Sequence, residues 1–227
     1  MAVKKKKIPK KVFSGAGLQT IDLPKPGLSG GKPVLSALQK RRTVRSIGSR
    51  KLSPRTLSNL LWAACGVNRK NGPFGGPGVT AASASNSQEI LLYVATKDGV
   101  YLYEPYPHRL VPVVSGDLRS MAIGRGQGNM GATAPVRIIY VVDIYKFSVA
   151  GFPEPGLKDP EVQKSYYYVD TGLIAGNIYL FAASNGLATW FHNCDKVGLA
   201  SKLKLRDDQR ALFGQTVGYP DKKGQGK

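Results

Sequence analysis

The feature that most constrains the fold is a long apolar segment with helical character, from Tyr166 to Asn185, followed directly by Gly186. Glycine is the usual residue after a helix C-terminus, because it adopts left-handed backbone angles without strain. Gly176 and Asn177 interrupt the most apolar part, and no apolar run reaches the length needed to cross a bilayer. The segment therefore predicts a central helix buried on most of its surface, in a protein that does not span a membrane.

Two continuous apolar runs predict strands that are covered on both faces, Ile90–Ala95 and Val136–Val142. The segment Lys97–Gly99 is a hairpin signal directly after the first run. The other predicted strands are Val100–Tyr103, Leu110–Val113 with Pro112 indicating an edge, and Gln215–Pro220.

The predicted helices before the strands are short. Val34, Leu35 and Leu38 recur at helical spacing. The second helix begins after the capping residue Ser53 and ends at Gly66. Two further helices are predicted around Cys194–Lys202 and Asp207–Leu212. The element order predicts a mixed α+β domain rather than βαβ alternation.

The charge of the chain needs an explanation, because 33 Lys and Arg against 14 Asp and Glu give +19. Six lysines lie among the first eleven residues, and the rest of the chain still carries +13. Nucleic acid, an anionic membrane, a phosphorylated ligand, or a basic surface with no dedicated partner would each account for it. We predict a basic, extended or disordered arm at 1–31, one domain at 32–223 and a tail at 224–227.

No apolar signal segment follows the first lysines, so we expect a cytoplasmic protein, unless a signal was trimmed before residue 1. Cys65 and Cys194 lack metal spacing and are expected to be buried thiols in a reducing compartment. His108 and His192 have no partners at metal spacing either, and the carboxylates are too scattered to indicate a paired acid site. We therefore expect no metal.

The strongest local signal is the basic segment from Arg41 to Arg45. Paired guanidinium groups at Arg41 and Arg42 can hold the oxygens of a phosphate monoester, and the hydroxyl of Thr43 can add a further contact. Arg45 can instead face the edge of a ring on which negative charge develops. Taken alone, the cluster is more often a solvated helix end that complements the helix dipole.

Two weaker signals lie downstream. Small residues and two amides, at Ser83, Asn86 and Gln88, precede the first buried strand and would let a planar ligand approach the backbone. Lys222 and Lys223 follow a Gly-Tyr-Pro segment at the basic end of the chain and could contact a phosphate. Alone, the first is more typical of an ordinary polar turn that enters a strand, and the second of a frayed basic terminus.

Taken together and in order, these segments resemble the nitroreductase family, and more narrowly its SagB-type branch. The resemblance spans roughly 33–223 and rests on Lys40–Arg45, Leu61–Arg69, Thr80–Ile90, Asp170–Gly172, Asn185–Leu187 and Gly218–Pro220. The sequence departs from the family at Thr43, where many members have Ser, and at Ala82, where many have Pro. Asp221 also precedes the terminal lysines, which leaves open which of them meets the phosphate.

The resemblance implies an α+β fold in which a central, mostly antiparallel sheet is flanked by helices around a long buried helix. It also implies an intertwined homodimer with two FMN sites at the subunit interface. Arg41, Arg42 and Thr43 would contact the phosphate and ribityl chain, with Lys222 or Lys223 completing the phosphate site, and Arg45 would lie at the pyrimidine side of the flavin. Ser83, Asn86 and Gln88 would approach the ring from the partner subunit, Gly186 and Leu187 would cover it with backbone, and Asn68 would add a polar contact.

The implied activity is hydride transfer from NAD(P)H to the flavin and onward to a nitroaromatic, a quinone or a similar acceptor. No side-chain acid or base is expected, because the flavin carries the chemistry. Two alternatives remain open at this point. One is an azoline-type dehydrogenase that acts on a modified peptide, and the other is a basic nucleic-acid-binding protein without catalysis.

Overall fold

The computed structural model describes residues 17–124, 126–127, 133–152 and 154–221. The lysines of the first eleven residues, together with Lys222 and Lys223, lie outside the described residues. No helix in these ranges has the length and apolarity required to cross a membrane.

The described chain forms helices and strands in the mixed order that the sequence predicts. The helices are α1 (Val34–Lys40), α2 (Pro54–Cys65), α3 (Tyr145–Ser148), α4 (Pro160–Asn185) and α5 (Lys196–Lys202). The strands are β1 (Ile21–Asp22), β2 (Val67–Arg69), β3 (Gly78–Val79), β4 (Ile90–Ala95), β5 (Gly99–Glu104), β6 (Arg109–Ser115), β7 (Val136–Asp143), β8 (Ala188–His192) and β9 (Gln209–Gly218).

Seven of the strands form one antiparallel sheet in the order β1-β6-β5-β4-β7-β9-β8, and β2 pairs with β3 separately. The hairpin between β4 and β5 closes where the amide of Thr96 donates to the carbonyl of Gly99 at 2.9 Å. β1 covers only the first residues of β6, so Pro112 lies on a stretch that has one neighbouring strand. The prediction that this proline marks an edge is confirmed for that stretch.

The sheet is covered on both faces, because successive side chains of a strand point to opposite sides. Leu92 and Val94 of β4 join a core with α2 and α4. Tyr93 and Ala95 of the same strand join a second core, which Leu199 of α5 closes on the other face. The predicted strands covered on both faces are confirmed, since all of β7 is buried and β4 nearly so.

α4 is the long central helix. It begins earlier than the predicted Tyr166, because the carboxylate of Asp159 accepts the amide of Glu161 and Pro160 occupies the first turn. It ends as predicted at Gly186, whose φ of 69° is left-handed. One side, which includes Ile178, packs on the sheet.

The prediction of a helix at Asp207–Leu212 is wrong, because β9 begins at Gln209 and pairs with β7 from there on. The alternation that starts the strand, with Gln209 buried and Arg210 exposed, is the period of a half-covered strand rather than of a helix. β8 was not predicted at all, although its aromatic and β-branched residues are typical of a strand. Its edge position explains its short length.

Candidate functional site

The basic segment that the sequence singled out lines an open cleft of about 950 Å³ beside the C-terminal end of α4. Of the predicted site residues, Arg41, Arg42, Thr43, Arg45, Gly186 and Leu187 all line this cleft. The other lining residues are Lys32, Gln39, Lys40, Val44, Ser46, Tyr179, Ala182, Ala183, Thr189, Pro220 and Asp221. Residues far apart in the sequence therefore meet at one surface.

Backbone pairing holds the basic segment in place. The amide of Val44 donates to the carbonyl of Thr189 in β8 at 3.0 Å. Three residues later Ile47 forms a bridge with Pro220, which lies just beyond the end of β9. The segment therefore runs along the edge of the sheet, and its side chains between these two anchors are presented to the cleft.

The end of α4 forms the opposite wall. Because Gly186 turns the chain into a left-handed conformation, the amide of Leu187 can return to the carbonyl of Ala182 at 2.9 Å. Tyr179 lies two turns before Gly186 and so lines the same cleft. Sequence reasoning missed this tyrosine, although its spacing from Gly186 was a usable signal.

The cleft is strongly electropositive. Five cationic side chains line it, and Asp221 is the single carboxylate among the described lining residues. None of the ion pairs within the described chain uses Arg41, Arg42 or Arg45. No carboxylate of the described residues forms an ion pair with them, which favours the binding of an anion from solution.

Two of the arginines stand against aromatic rings. The guanidinium carbon of Arg41 is 5.6 Å from the ring centroid of Tyr179, and that of Arg45 is 5.6 Å from the ring of Trp190. Such contacts orient a long side chain without neutralising it. The arrangement separates the two charges, with Arg41 at the end of α4 and Arg45 over β8.

Ser83, Asn86 and Gln88 lie elsewhere in the chain, in the loop before β4. The side-chain amide of Gln88 donates to the carbonyl of Pro77 at 2.7 Å and to the side-chain oxygen of Asn86 at 2.9 Å. The hydroxyl of Ser83 accepts the amide of Gln88 at 3.0 Å. The bond to Pro77 connects this loop to the glycine-rich loop that precedes it. Asn86 and Gln88 both adopt left-handed backbone angles.

Within one chain this loop does not reach the basic cleft. It borders a separate cavity of about 80 Å³, which Ser83 and Gln88 line. α4 contacts both the loop before β4 and the basic cleft. Its Asp170 accepts a hydrogen bond from the backbone amide of Ala84 at 3.1 Å, and its Tyr179 lines the cleft. Those two helix residues are separated by about 14 Å along the axis, at 1.5 Å per residue. Asn68 is exposed on β2 and lines neither cavity.

The small cavity contains a buried carboxyl pair that the sequence spacing did not indicate. Glu89 is fully buried and accepts the hydroxyl of Ser87 at 2.6 Å. Burial, followed by the charge of Asp170, raises the pKa of Glu89 to about 7. Burial also raises the pKa of Asp170. Because these two carboxyls come from the sheet and from α4, only the folded chain brings them together.

The buried side-chain amine of Lys146 also lines that cavity. Lys146 of α3 donates to the carbonyl of Gln88 at 2.6 Å, and burial lowers its pKa. It therefore ties α3 to the loop before β4. Of the predicted lysines, neither Lys222 nor Lys223 is among the described residues, although Asp221, directly before them, lines the basic cleft.

Comparisons with known proteins agree on one family. The sequence pattern of the nitroreductase family matches residues 38–219. A Methanocaldococcus jannaschii protein that bears the name of a nitroreductase is 30% identical over 159 residues, which cover 67% of this chain and 74% of the relative.

Solved structures share the fold. The crystal structure of a nitroreductase-named protein from Ralstonia eutropha JMP134 has a TM-score of 0.78 and 31% identity, covering 95% of this chain and 96% of that one. A structure described as an FMN-dependent nitroreductase from Clostridium difficile R20291 has a TM-score of 0.54 and 17% identity, covering 82% of this chain and 87% of that one. At that identity the second likeness is one of fold alone.

Proposed function

The chain belongs to the nitroreductase family, and we propose that it is an FMN-dependent oxidoreductase that takes hydride from NAD(P)H and reduces a nitroaromatic, a quinone or a similar acceptor. When bound, the flavin supplies the redox chemistry, and the protein supplies binding, orientation and electrostatics. The observation that carries the proposal is the convergence of Arg41, Arg42 and Thr43 with Gly186 and Leu187 on one electropositive cleft.

The cleft fits the phosphate end of FMN. A phosphate monoester carries nearly two negative charges near neutral pH, and guanidinium groups bind its oxygens in pairs. Arg41 and Arg42 have no carboxylate partner in the described chain, so a phosphate would replace no existing ion pair. Thr43 adds a hydroxyl between them and Arg45. Lys222 or Lys223 would add a further charge beside Asp221.

Arg45 and the end of α4 are assigned to the ring. Arg45 is held over Trp190, away from Arg41, and its charge would favour electron density at the pyrimidine side of the flavin. The backbone at Gly186 and Leu187 would cover one face. Because the flavin would carry the redox chemistry, we assign no side-chain acid or base to the reaction.

We propose that Ser83, Asn86 and Gln88 approach the ring from the partner subunit of a homodimer. Their separation from the cleft within one chain supports this assignment, as does the apolar surface of α1 and α4. Leu35 of α1 is 76% exposed and Val169 of α4 is 58% exposed, and α1 packs against α4. Exposed apolar residues on adjoining helices are typical of a subunit interface.

Light scattering after gel filtration tests the dimer. The double variant Leu35→Glu/Val169→Glu should run as a monomer, because charges would replace two exposed apolar side chains at the interface. Val197→Glu is the matched control, since Val197 is 83% exposed on α5, which covers the opposite face of the sheet. A monomeric native protein, or a double variant that remains dimeric, would contradict the proposed interface.

The finer assignment is to the SagB-type branch, and it rests on the ordered set of motifs and on Asn68, for which we propose a polar contact to the flavin. Asn68 is exposed on β2 and is available to a ligand or a partner subunit. The proposal is consistent with either NADH or NADPH as the hydride donor. Comparing NADH with NADPH, each with a nitroaromatic and with a quinone, identifies the preferred pair.

We further propose that residues 32–223 form the FMN-binding domain, with the basic arm at 1–31 before it and the tail at 224–227 after it; Ile21 and Asp22 of the arm add β1 to the edge of the sheet. The family match at 38–219 supports these bounds. We propose a reducing, cytoplasmic location, which the free and buried state of Cys65 and Cys194 supports.

The direct test is to purify the protein, release its flavin by denaturation and identify the flavin by chromatography. We expect a yellow protein that contains FMN and oxidises NAD(P)H when an acceptor is present. A colourless protein that takes up no FMN in either redox state, and whose DNA affinity falls with salt, would overturn the proposal in favour of a nucleic-acid-binding role.

A further inference from the structure

We propose that Tyr179 is a positioning residue that aims the hydroxyl hydrogen of Thr43 into the basic cleft. This inference rests on the proposed function, because its purpose is to prepare Thr43 for an anionic oxygen. Tyr179 is half-buried on α4, and Thr43 is exposed on the segment after α1. Their hydroxyl oxygens are 3.1 Å apart, within hydrogen-bond distance.

A second contact fixes the place of the tyrosine hydroxyl. The backbone amide of Phe191 in β8 donates to this same oxygen at 3.0 Å. An amide can only donate, so the phenol oxygen is the acceptor in that bond. The hydroxyl of Tyr179 is thereby tied to β8, the strand that also receives the amide of Val44. The phenol oxygen and the segment that contains Thr43 are thus anchored to the same strand.

Counting hydrogens gives the direction of the remaining bond. Tyr179 has one hydroxyl hydrogen, and Thr43 is the acceptor within reach of it among the described residues. A phenol is a stronger acid, and so a better donor, than an aliphatic alcohol. Tyr179 therefore donates to Thr43. The hydrogen of Thr43 then points away from the oxygen of Tyr179 and is available to a ligand in the cleft that Thr43 lines.

This orientation has a consequence for affinity. A free hydroxyl rotor loses rotational freedom when it binds a phosphate oxygen, whereas a rotor already turned toward the ligand does not. The ring of Tyr179 also lies 5.6 Å from the guanidinium carbon of Arg41. One side chain therefore orders two of the proposed phosphate contacts. Replacing it by phenylalanine keeps the ring and removes only the hydroxyl.

The test measures dissociation constants for FMN and for riboflavin, which lacks the phosphate, by quenching of flavin fluorescence. Tyr179→Phe should weaken FMN binding about five- to tenfold, equivalent to about 1 to 1.4 kcal/mol, and leave riboflavin binding unchanged. In a Thr43→Val background, which has no hydroxyl to orient, Tyr179→Phe should have no further effect on FMN. In a Thr43→Ser background it should weaken FMN binding as it does in the native protein.

Two results would overturn the inference about Tyr179 without contradicting the proposed FMN-dependent function. Equal weakening of FMN and riboflavin would show that the lost Phe191 contact merely loosens the wall of the cleft. Additive losses in the double variant would show that Tyr179 and Thr43 act independently. A native protein that binds no flavin would overturn the proposed function itself, and this inference with it. Circular dichroism of each variant establishes that it is folded.

Discussion

Lowering the pH should destabilise the folded protein through His192. This side chain is 4% exposed in β8 and both ring nitrogens are engaged. Nδ1 lies 2.8 Å from the carbonyl oxygen of Asn193, so it carries the hydrogen, and Nε2 accepts from the hydroxyl of Thr216 at 2.8 Å. A second proton, on Nε2, would reverse the direction of the bond with Thr216 and bury a positive charge. Burial accordingly lowers the pKa of His192 to about 4.

The size of the effect follows from proton linkage. An unfolded histidine has a pKa of about 6.5, so between that value and about 4 the unfolded chain binds more protons than the folded chain does at His192. The contribution of His192 to the free energy of unfolding is therefore fully present above about pH 7, and it is lost as the pH falls toward 4. At about pH 5 the loss is about 2 kcal/mol, at 1.36 kcal/mol for each unit of pKa difference.

Glu89 acts in the opposite direction. Its pKa is raised to about 7 in the folded protein, so the folded chain binds more protons there between about pH 4.5 and 7, and acidification stabilises the fold at this position. The two contributions oppose each other over the same pH range, so only a comparison between variants can separate the two groups.

The assay is urea unfolding of the native protein and of His192→Gln, at about pH 7.5 and about pH 5. His192→Gln should be less stable than the native protein at the higher pH, and its deficit should shrink by about 2 kcal/mol at the lower pH. His108→Gln replaces the other histidine of the chain, whose pKa burial also lowers, so its deficit should shrink in the same direction but by less. A deficit that is the same at both pH values would refute the assignment of a buried neutral imidazole.

Three further outcomes are expected. Ile178→Ala, at a fully buried position of α4, should lower the free energy of unfolding by about 2 to 4 kcal/mol in urea titrations, and a loss below about 1 kcal/mol would contradict its place in the core. Cys65 and Cys194 are buried, with pKa values raised to about 12 and about 11, so a thiol reagent should react with them only after unfolding. Gly214→Ala should lower the melting temperature markedly, because its methyl group would collide with the carbonyl oxygen of Ala122.

Parts of the fold could be predicted because their signals are local. The continuous apolar runs of β4 and β7 and the Gly186 end of α4 are determined by patterns within a few residues. β8 and the first half of β9 were missed, since an edge strand and a strand entered from a turn have no continuous apolar run. The assignment of β9 depends on pairing with β7, which connects residues more than sixty positions apart in the chain, and β8 in turn pairs with β9.

The residues of the candidate site also fall into those that local sequence signals predict and those that depend on the folded structure. The sequence predicts that Arg41, Arg42, Thr43 and Arg45 form a site with Gly186 and Leu187, and the fold brings both segments to one cleft. Tyr179 was missed because its role depends on how α4 crosses the segment after α1. The pairing of Glu89 with Asp170 was missed for a similar reason, since one carboxyl comes from the sheet and the other from a helix.

The most direct test of the central claim compares FMN with riboflavin in the native protein, in Arg41→Ala and in Arg210→Ala. Arg210 is exposed on β9 and does not line the cleft, which makes it a matched control. Arg41→Ala should weaken FMN binding by about tenfold or more and leave riboflavin binding nearly unchanged, because a charge-assisted bond to the phosphate is lost. Equal effects of the two substitutions on FMN, or an equal loss of both flavins in Arg41→Ala, would contradict the claim that this cleft binds the FMN phosphate.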